Sequence, residues 1–340
     1  MDPVTQGVLG ASLPQAASNY VVTHEPGTKL RQLGTIGWLG CLSGMAPDLD
    51  ILIQSPTDPI LFLEYHRQFT HALIFIPVGA LICAVIFHFF AKRGLTFGQT
   101  YIVCFLGYAT HGLLDACTTY GTQLFWPFSD MRVAWNNVSV VDPLFTLPMA
   151  ALVILTVIRR NPAFARAALI WGAIYLLFGV VQRERAEWAG FELARQQGHN
   201  PVRLEAKPGF GNLFLWKIVY ETETEFHVDA VRLFFTPKTF PGDKIKKLNV
   251  VEDLPWLDPT SQQAKDLDRF DWFSNNYLAL DKVRENYVID IRYSMVPNEV
   301  DALWGIQLDP TLDREAHASY ITNRTDSAKR LNDLVHLLMD

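Results

Sequence analysis

Seven side chains in the first 142 residues are of the kinds that hold metal ions: Asp48 and Asp50 in GMAPDLD, His66 and His71 in EYHRQFTH, His111 and Asp115 in HGLLD, and Asp142 in VVDPLF. His111 and Asp115 stand four apart, so on a helix they project from one face and can share one ion or two adjacent ions. Asp48 and Asp50 cannot share a helical face, but a turn begun by Pro47 can aim both carboxylates at one centre. His66 and His71 fall about 140° apart on a helix, which assigns one of them to a loop and the other to the helix that follows. Imidazole with carboxylate suits zinc, manganese or iron, and seven candidates exceed what one four-coordinate ion needs. The expectation is more than one divalent ion, or a shared outer layer of supporting residues. Arg67 could hold a phosphate or carboxylate bidentately, contact a lipid headgroup or make a structural salt bridge, and Glu64 could act as a general base or be a solvated acid. Blander roles exist: helix-end polar groups for Asp48 and Asp50, a buried hydrogen-bonded pair for His111 and Asp115, and an ordinary helix start for Asp142 before Pro143.

The elements that must position these residues are apolar. Five runs, at 33–53, 72–91, 100–117, 138–158 and 164–182, are long enough to read as transmembrane helices. Residues 1–18, short and broken by Pro14, read as an interfacial or re-entrant segment. Ionisable side chains in a span cost about 2.5–3.5 kcal/mol each, so their gathering at one depth points to function. Lys29, Arg31, Lys92, Arg93, Arg159, Arg160 and Arg166 lie in loops on one side of the alternation, which the positive-inside rule makes cytoplasmic. The candidate ligands then sit at the outer face, and the tail emerges there.

Of 35 acidic and 29 basic residues, 9 of each fall in the first 182, so the net charge of −6 belongs entirely to the rest. The division predicts a helical polytopic membrane domain at 1–182 and a small α+β soluble domain at 183–340. In the latter, 213–220, 226–235 and 287–295 read as strands, and 183–197, 262–280 and 314–338 as helices. Trp216, Trp256, Trp272 and Trp304 are candidate interfacial anchors or core residues. The four cysteines form no CxxC pair, which excludes a disulfide scaffold or zinc ribbon. The balance is negative and no sustained Lys/Arg run is present, so nucleic acid is not expected as a partner.

The blocks GMAPDLD (44–50), HRQFTH (66–71), HGLLDACTTYG (111–121) and NNVSVVDPLF (136–145) resemble those of the YdjM-like family of bacterial inner-membrane proteins, described as membrane-bound metal-dependent hydrolases. The resemblance implies hydrolase activity; the family label also mentions the LexA repressor, a cytoplasmic partner that an outward-facing site does not suit. Family members often begin with an Asp followed by a Thr-His pair. Here Asp2 is kept and Thr5 is followed by Gln6. A site at the membrane surface favours a phosphoester or related bond in a lipid or lipid-linked substrate. Transport or metal-dependent sensing are the other classes these residues allow.

Overall fold

The computed structural model describes residues 1–21, 29–323 and 327–339. His24 and the side chains of Lys29 and Arg31 lie outside the described residues. The chain forms two compact units, one of Met1–Leu52, His66–Val181 and Phe210–Asn212, the other of Ile53–Tyr65, Gln182–Gly209 and Leu213–Asp340.

The first unit is helical. Asp2 caps α1 (Pro3–Ala16) by accepting from the Thr5 backbone N–H, and Pro3 sits in the first turn, where no N–H is needed. Pro14 does not end this helix. It lacks an N–H for the Gly10 carbonyl, and that carbonyl faces Gly40. After the short α2 (Ser18–Val21), α3 (Lys29–Met45) runs antiparallel to α1 and also packs on α6 (Phe97–Ala116). The three helices meet at glycines: a Cβ on Gly10 or on Gly107 would lie 2.5 Å from the Gly40 carbonyl oxygen. Backbones touch there as they do in small-residue crossings within membranes. The segment at 1–18, expected to be interfacial or re-entrant, is thus a helix packed on α3, α6 and α7. Around this crossing stand α5 (Ile76–Ala91), α7 (Pro143–Ile158) and α8 (Ala163–Gln196).

Two helices, Leu73–Ala91 and Ala163–Gln196, are long and apolar enough to cross a membrane, and Pro143–Ile158 is apolar but shorter, against the five spans expected. The run at 33–53 leaves its helix at Met45 and continues as a tighter 3₁₀ turn, Ala46–Leu52. The run at 100–117 is helical, but Thr100, His111 and Asp115 on it are buried against neighbours, so its polarity faces protein. The run at 138–158 becomes helical only at Pro143. The last run continues unbroken into the predicted helix at 183–197, giving the 34-residue α8. The apolar surfaces of α5 and α8 are largely exposed, Phe89, Phe90, Ile174 and Leu177 among them, as lipid-facing helices require.

The second unit holds two antiparallel sheets. The first has the order β1 (Arg203–Pro208), β2 (Leu215–Glu221), β3 (Glu225–Leu233), β4 (Pro237–Phe240), with β5 (Lys244–Lys246) also pairing with β3. The second runs β6 (Leu278–Leu280), β7 (Tyr287–Asp290), β8 (Trp304–Gln307), β9 (Ser319–Thr322). Val219, Phe226, Val228, Tyr277 and Ile289 form a core shared by both sheets, and Trp216 is fully buried. The short α4 (Leu61–Tyr65) belongs to this unit: Ile60 and Leu63 join Leu254, Leu267, Phe270 and Ile306 in a second core beneath α9 (Val250–Asp253) and α10 (Gln262–Phe273). The helix expected over 262–280 stops at Phe273, because Asn275 and Asn276 take left-handed backbone angles before β6. The helix expected over 314–338 is β9 followed by α11 (Ser327–Met339).

A side chain on Gly40 must enter the Gly10 carbonyl and the Pro14 ring. Gly40→Ala is expected to cost about 1–3 kcal/mol by overpacking. Gly98→Ala, where nothing lies within 4 Å of the added carbon, gains a few tenths to about 1 kcal/mol of helix propensity. Thermal melts of the detergent-solubilised protein should move in opposite directions for the two variants.

Candidate metal centre

The glycine crossing carries the centre. His111 lies on α6, one turn beyond Gly107, and its Nδ1 contacts the Gly44 carbonyl at 2.6 Å. A carbonyl only accepts, so Nδ1 carries the proton and Nε2 has a lone pair. His71 ends a 3₁₀ turn, Phe69–His71. The single hydroxyl hydrogen of Thr70 is donated to Asp50 Oδ2 at 2.8 Å, so His71 Nδ1 is the donor toward Thr70 Oγ1 (3.0 Å) and Asp50 Oδ2 (3.2 Å). Its Nε2 is likewise left with a lone pair. Those two Nε2 atoms face each other at 2.9 Å, and both rings are buried. Two lone pairs at that distance repel unless a proton or a cation lies between them.

Two carboxylates complete the group. Asp48 Oδ1 stands 3.5 Å from His71 Nε2 and 3.3 Å from His111 Nε2. Asp115 Oδ2 stands 3.3 and 3.8 Å from the same atoms, is buried, and accepts no hydrogen bond. All four donor atoms fall within 4.8 Å of one another. Donors about 2.0–2.1 Å from a tetrahedral centre are separated by about 3.3–3.4 Å, so these spacings are close to the edges of a tetrahedron around one small divalent ion. The residues fit a metal.

Surrounding residues hold the ligands still. Asp50 touches His66 Nδ1 (2.7 Å) and accepts from the Arg67 N–H (3.0 Å) as well as from Thr70. This gives His71 the carboxylate backing usual for metal-ligating imidazoles. Arg67 is buried, with Nε paired to Asp115 Oδ2 at 3.1 Å, Nη1 donating to Thr118 Oγ1 at 3.1 Å and the Tyr120 ring beneath the guanidinium. Its left-handed backbone, rare without glycine, is held by the Asp50 carboxylate and by the Gln123 N–H on its carbonyl. Gln6 Nε2 donates to Asp115 Oδ1 at 2.9 Å, and the Met1 nitrogen contacts the same oxygen. Burial alone would raise the Asp50 carboxyl, but hydrogen bonds from His66 and from His71 Nδ1 outweigh it and hold it well below the ordinary range. Without a cation between the rings, burial opposes a charge on His71, yet Asp115, Asp48 and Asp50 overcome it and push its pKa up to about 10, so that a proton takes the cation's place on Nε2. The surplus of carboxylate that attracts a cation also binds a proton strongly.

Of the nine candidate site residues, four meet at the centre and Asp50, His66 and Arg67 form its surround. Asp50, His66 and Arg67 thus stand behind the four donors, which are the ones close enough to share one ion. Asp142 is elsewhere: it caps α7 by accepting from Leu144 and Phe145, and it takes the Tyr175 hydroxyl at 2.8 Å. Its carboxylate is occupied as the helix start that Pro143 calls for. Glu64 is ion-paired with Arg269 in the second unit and is corrected from base to structural acid. Arg269 also forks onto Asp58 (2.9 Å) and Asp266 (3.0 Å). The Asp58, Asp266 and His317 group therefore already has its cation, although its geometry too could gather an ion. Burial would raise the Asp58 carboxyl; the Arg269 hydrogen bonds reverse that and hold it low. The Gly44 carbonyl had no sequence signal. Gln6, noted in the sequence only as the residue that follows Thr5, is a fully buried amide on α1. His88, outside the centre, contacts Thr100 Oγ1 on the adjacent helix at 3.0 Å.

Fold and site define a helical membrane protein with a buried His₂Asp₂ group able to hold a metal ion and a β-rich second unit. The chain belongs to the YdjM inner membrane protein family, whose profile matches residues 1–186. It is 27% identical over 157 residues to YfhP, an uncharacterized protein of Bacillus subtilis (strain 168), covering 45% of this chain and 46% of YfhP. It is 31% identical over 105 residues to the inner membrane protein YbcI of Escherichia coli (strain K12), covering 30% of this chain and 60% of YbcI. The chain thus covers less than two thirds of either relative. No solved structure matches it.

Metal analysis of the purified protein should find about one divalent ion per chain at this four-donor site. His111→Ala is expected to abolish that content. Asp142→Ala should retain it while lowering thermal stability by about 1 kcal/mol through the lost cap.

Proposed function

We propose that the protein is a membrane-bound, metal-dependent hydrolase acting on a phosphoester or related bond of a lipid or lipid-linked substrate at the outer membrane face. The observation that carries this reading is the pair of imidazole lone pairs facing each other between two carboxylates. The two-nitrogen, two-oxygen donor set suits zinc, with manganese or iron as the other ions it fits. A divalent ion held there would supply Lewis acidity, and would acidify a water only where the partly exposed Asp48 leaves room for one.

The chain's own residues divide the remaining tasks. The side chains of His71, His111 and Asp115 are fully buried, whereas that of Asp48 is 22% exposed, so substrate approaches on the Asp48 side. Arg67 was expected to stabilise transition-state charge; its guanidinium lies on Asp115 and Thr118 instead, and its part is to orient Asp115 and offset carboxylate charge. His66 is the group placed to move a proton. Its Nδ1 contacts Asp50, its side chain is 31% exposed, and its ring centre lies 6.0 Å from that of His71.

Orientation rests on charge. The candidate ligands follow α3, precede α5 or end α6, while Lys92 and Arg93 follow α5, and Arg159 and Arg160 follow α7. The positive-inside rule puts the metal-binding ends outside. α8, which begins beside Arg166, then carries the second unit to the same side.

His66→Ala is expected to lower kcat by about 10²–10⁴-fold with metal content intact, while His71→Ala loses both. The assay is phosphate release from phosphatidic acid, lysophospholipids and polyprenyl phosphates by metal-loaded protein in detergent. Full metal loading with no turnover on any of these would overturn the hydrolase reading and favour a metal-dependent binding module.

A further inference from the structure

The second unit presents apolar side chains at one place on its surface. Phe234 and Phe235 form the tip between β3 and β4; Phe235 is wholly exposed and Phe234 about half. Two hydrogen bonds tie this tip to α8: Gln182 Nε2 donates to the Leu233 carbonyl at 3.1 Å, and Arg185 Nη2 donates to the Phe234 carbonyl at 2.8 Å. The Phe214 ring lies 5.2 Å from that of Phe234. Arg232 Nη1 donates to the Leu338 carbonyl at 3.1 Å, which brings exposed Met339 to the same hairpin.

Gln182 immediately follows the apolar stretch of α8, whose exposed Leu177 and Val181 face lipid in an inner membrane protein. The tip is therefore anchored within one helical turn of the point where the span meets the headgroups. Arg185 and Arg232 direct their donors to amide and carbonyl oxygens, and among the described residues no carboxylate pairs with either. Their positive charge is left for anionic headgroups. Of the tryptophans considered as anchors, Trp216 is core, and Trp256 and Trp304 pack at the edge of the second core.

We propose that the Phe234–Phe235 tip is a wedge that inserts into the headgroup and acyl boundary of the bilayer crossed by α8, with Arg185 and Arg232 at phosphate level. The bilayer is the occupant because the tip is held to Gln182 and Arg185, the residues of α8 that follow its apolar stretch, and carries the complementary charge. The wedge is independent of any chemistry at the metal centre.

The test is spin labelling of full-length protein in nanodiscs. A nitroxide at Phe235→Cys is compared with one at Val283→Cys, an equally exposed site in the same unit, with the four native cysteines giving the wild-type blank. At position 235, collision with oxygen should exceed collision with a water-soluble nickel chelate several-fold, with the reverse at 283. Adding Arg185→Gln and Arg232→Gln should reduce that preference in anionic nanodiscs and leave it unchanged in zwitterionic ones. Equal aqueous accessibility at both sites would overturn the wedge. So would an immobilised label at 235 shielded from both reagents, which would mean that protein covers the tip.

Discussion

Two imidazole nitrogens held 2.9 Å apart, each with its proton on the far side of its ring, are the constraint around which the helical unit is organised. Neither nitrogen can relieve the repulsion by changing tautomer. The Gly44 carbonyl holds the proton of His111 on Nδ1, and the Thr70 and Asp50 pair does the same for His71. The contact persists only if something positive lies between the rings. Asp48 and Asp115 make that place attractive to a cation and Arg67 limits the surplus of negative charge.

The glycines are part of the same constraint. The Gly44 carbonyl reaches His111 because α3 and α6 approach until backbone meets backbone at Gly40 and Gly107. Gly112, next to His111, performs the same service for the other imidazole, since a Cβ there would collide with the His71 carbonyl. Any side chain at these points would separate the helices and, with them, the two rings. A helix made of glycine, threonine, histidine and aspartate on its inner face has a modest mean hydropathy, however deeply it is buried. Two of the five expected spans failed for that reason: α3 and α6, with α1, form the helical core and turn their polar side chains toward one another, whereas α5 and α8 are long enough and show lipid an almost unbroken apolar surface.

The four donors that meet were legible in the sequence because chemistry and depth could be read together; direction could not. His111 and Asp115, four apart on a helix, converge as that spacing requires, and Asp48 leaves its helix through the turn at Pro47. Asp142 stands at a helix start like a plausible fifth carboxylate, yet the capping hydrogen bonds that start α7 turn it away, and no pattern of residue types distinguishes a capping Asp from a ligating one. Asp50 has the right type and belongs to the layer behind, because the turn from Asp48 to Asp50 presents one carboxylate to the ion and the other to His71 Nδ1. In the second unit, alternation located β2, β3 and β7. It missed short strands such as β5 and β9, where three or four residues are too few to set a period.

Glu64 marks the limit of reading along the chain. Two residues before His66, it seemed to belong with the histidines, yet the segment Ile53–Tyr65 crosses into the other unit, burying Ile60 and Leu63 beneath α10 and giving Asp58 and Glu64 to Arg269. Those ion pairs are partly exposed and individually weak. The apolar pair supplies more, about 1.5–3 kcal/mol for each side chain fully buried. The loop between Leu52 and His66 is therefore structural on one side and catalytic in its proposed role on the other, with the change of function falling at Tyr65. A one-dimensional motif placed Glu64 with its neighbours in the chain; burial placed it with Arg269, and for a charged side chain the nearest countercharge governs what it does.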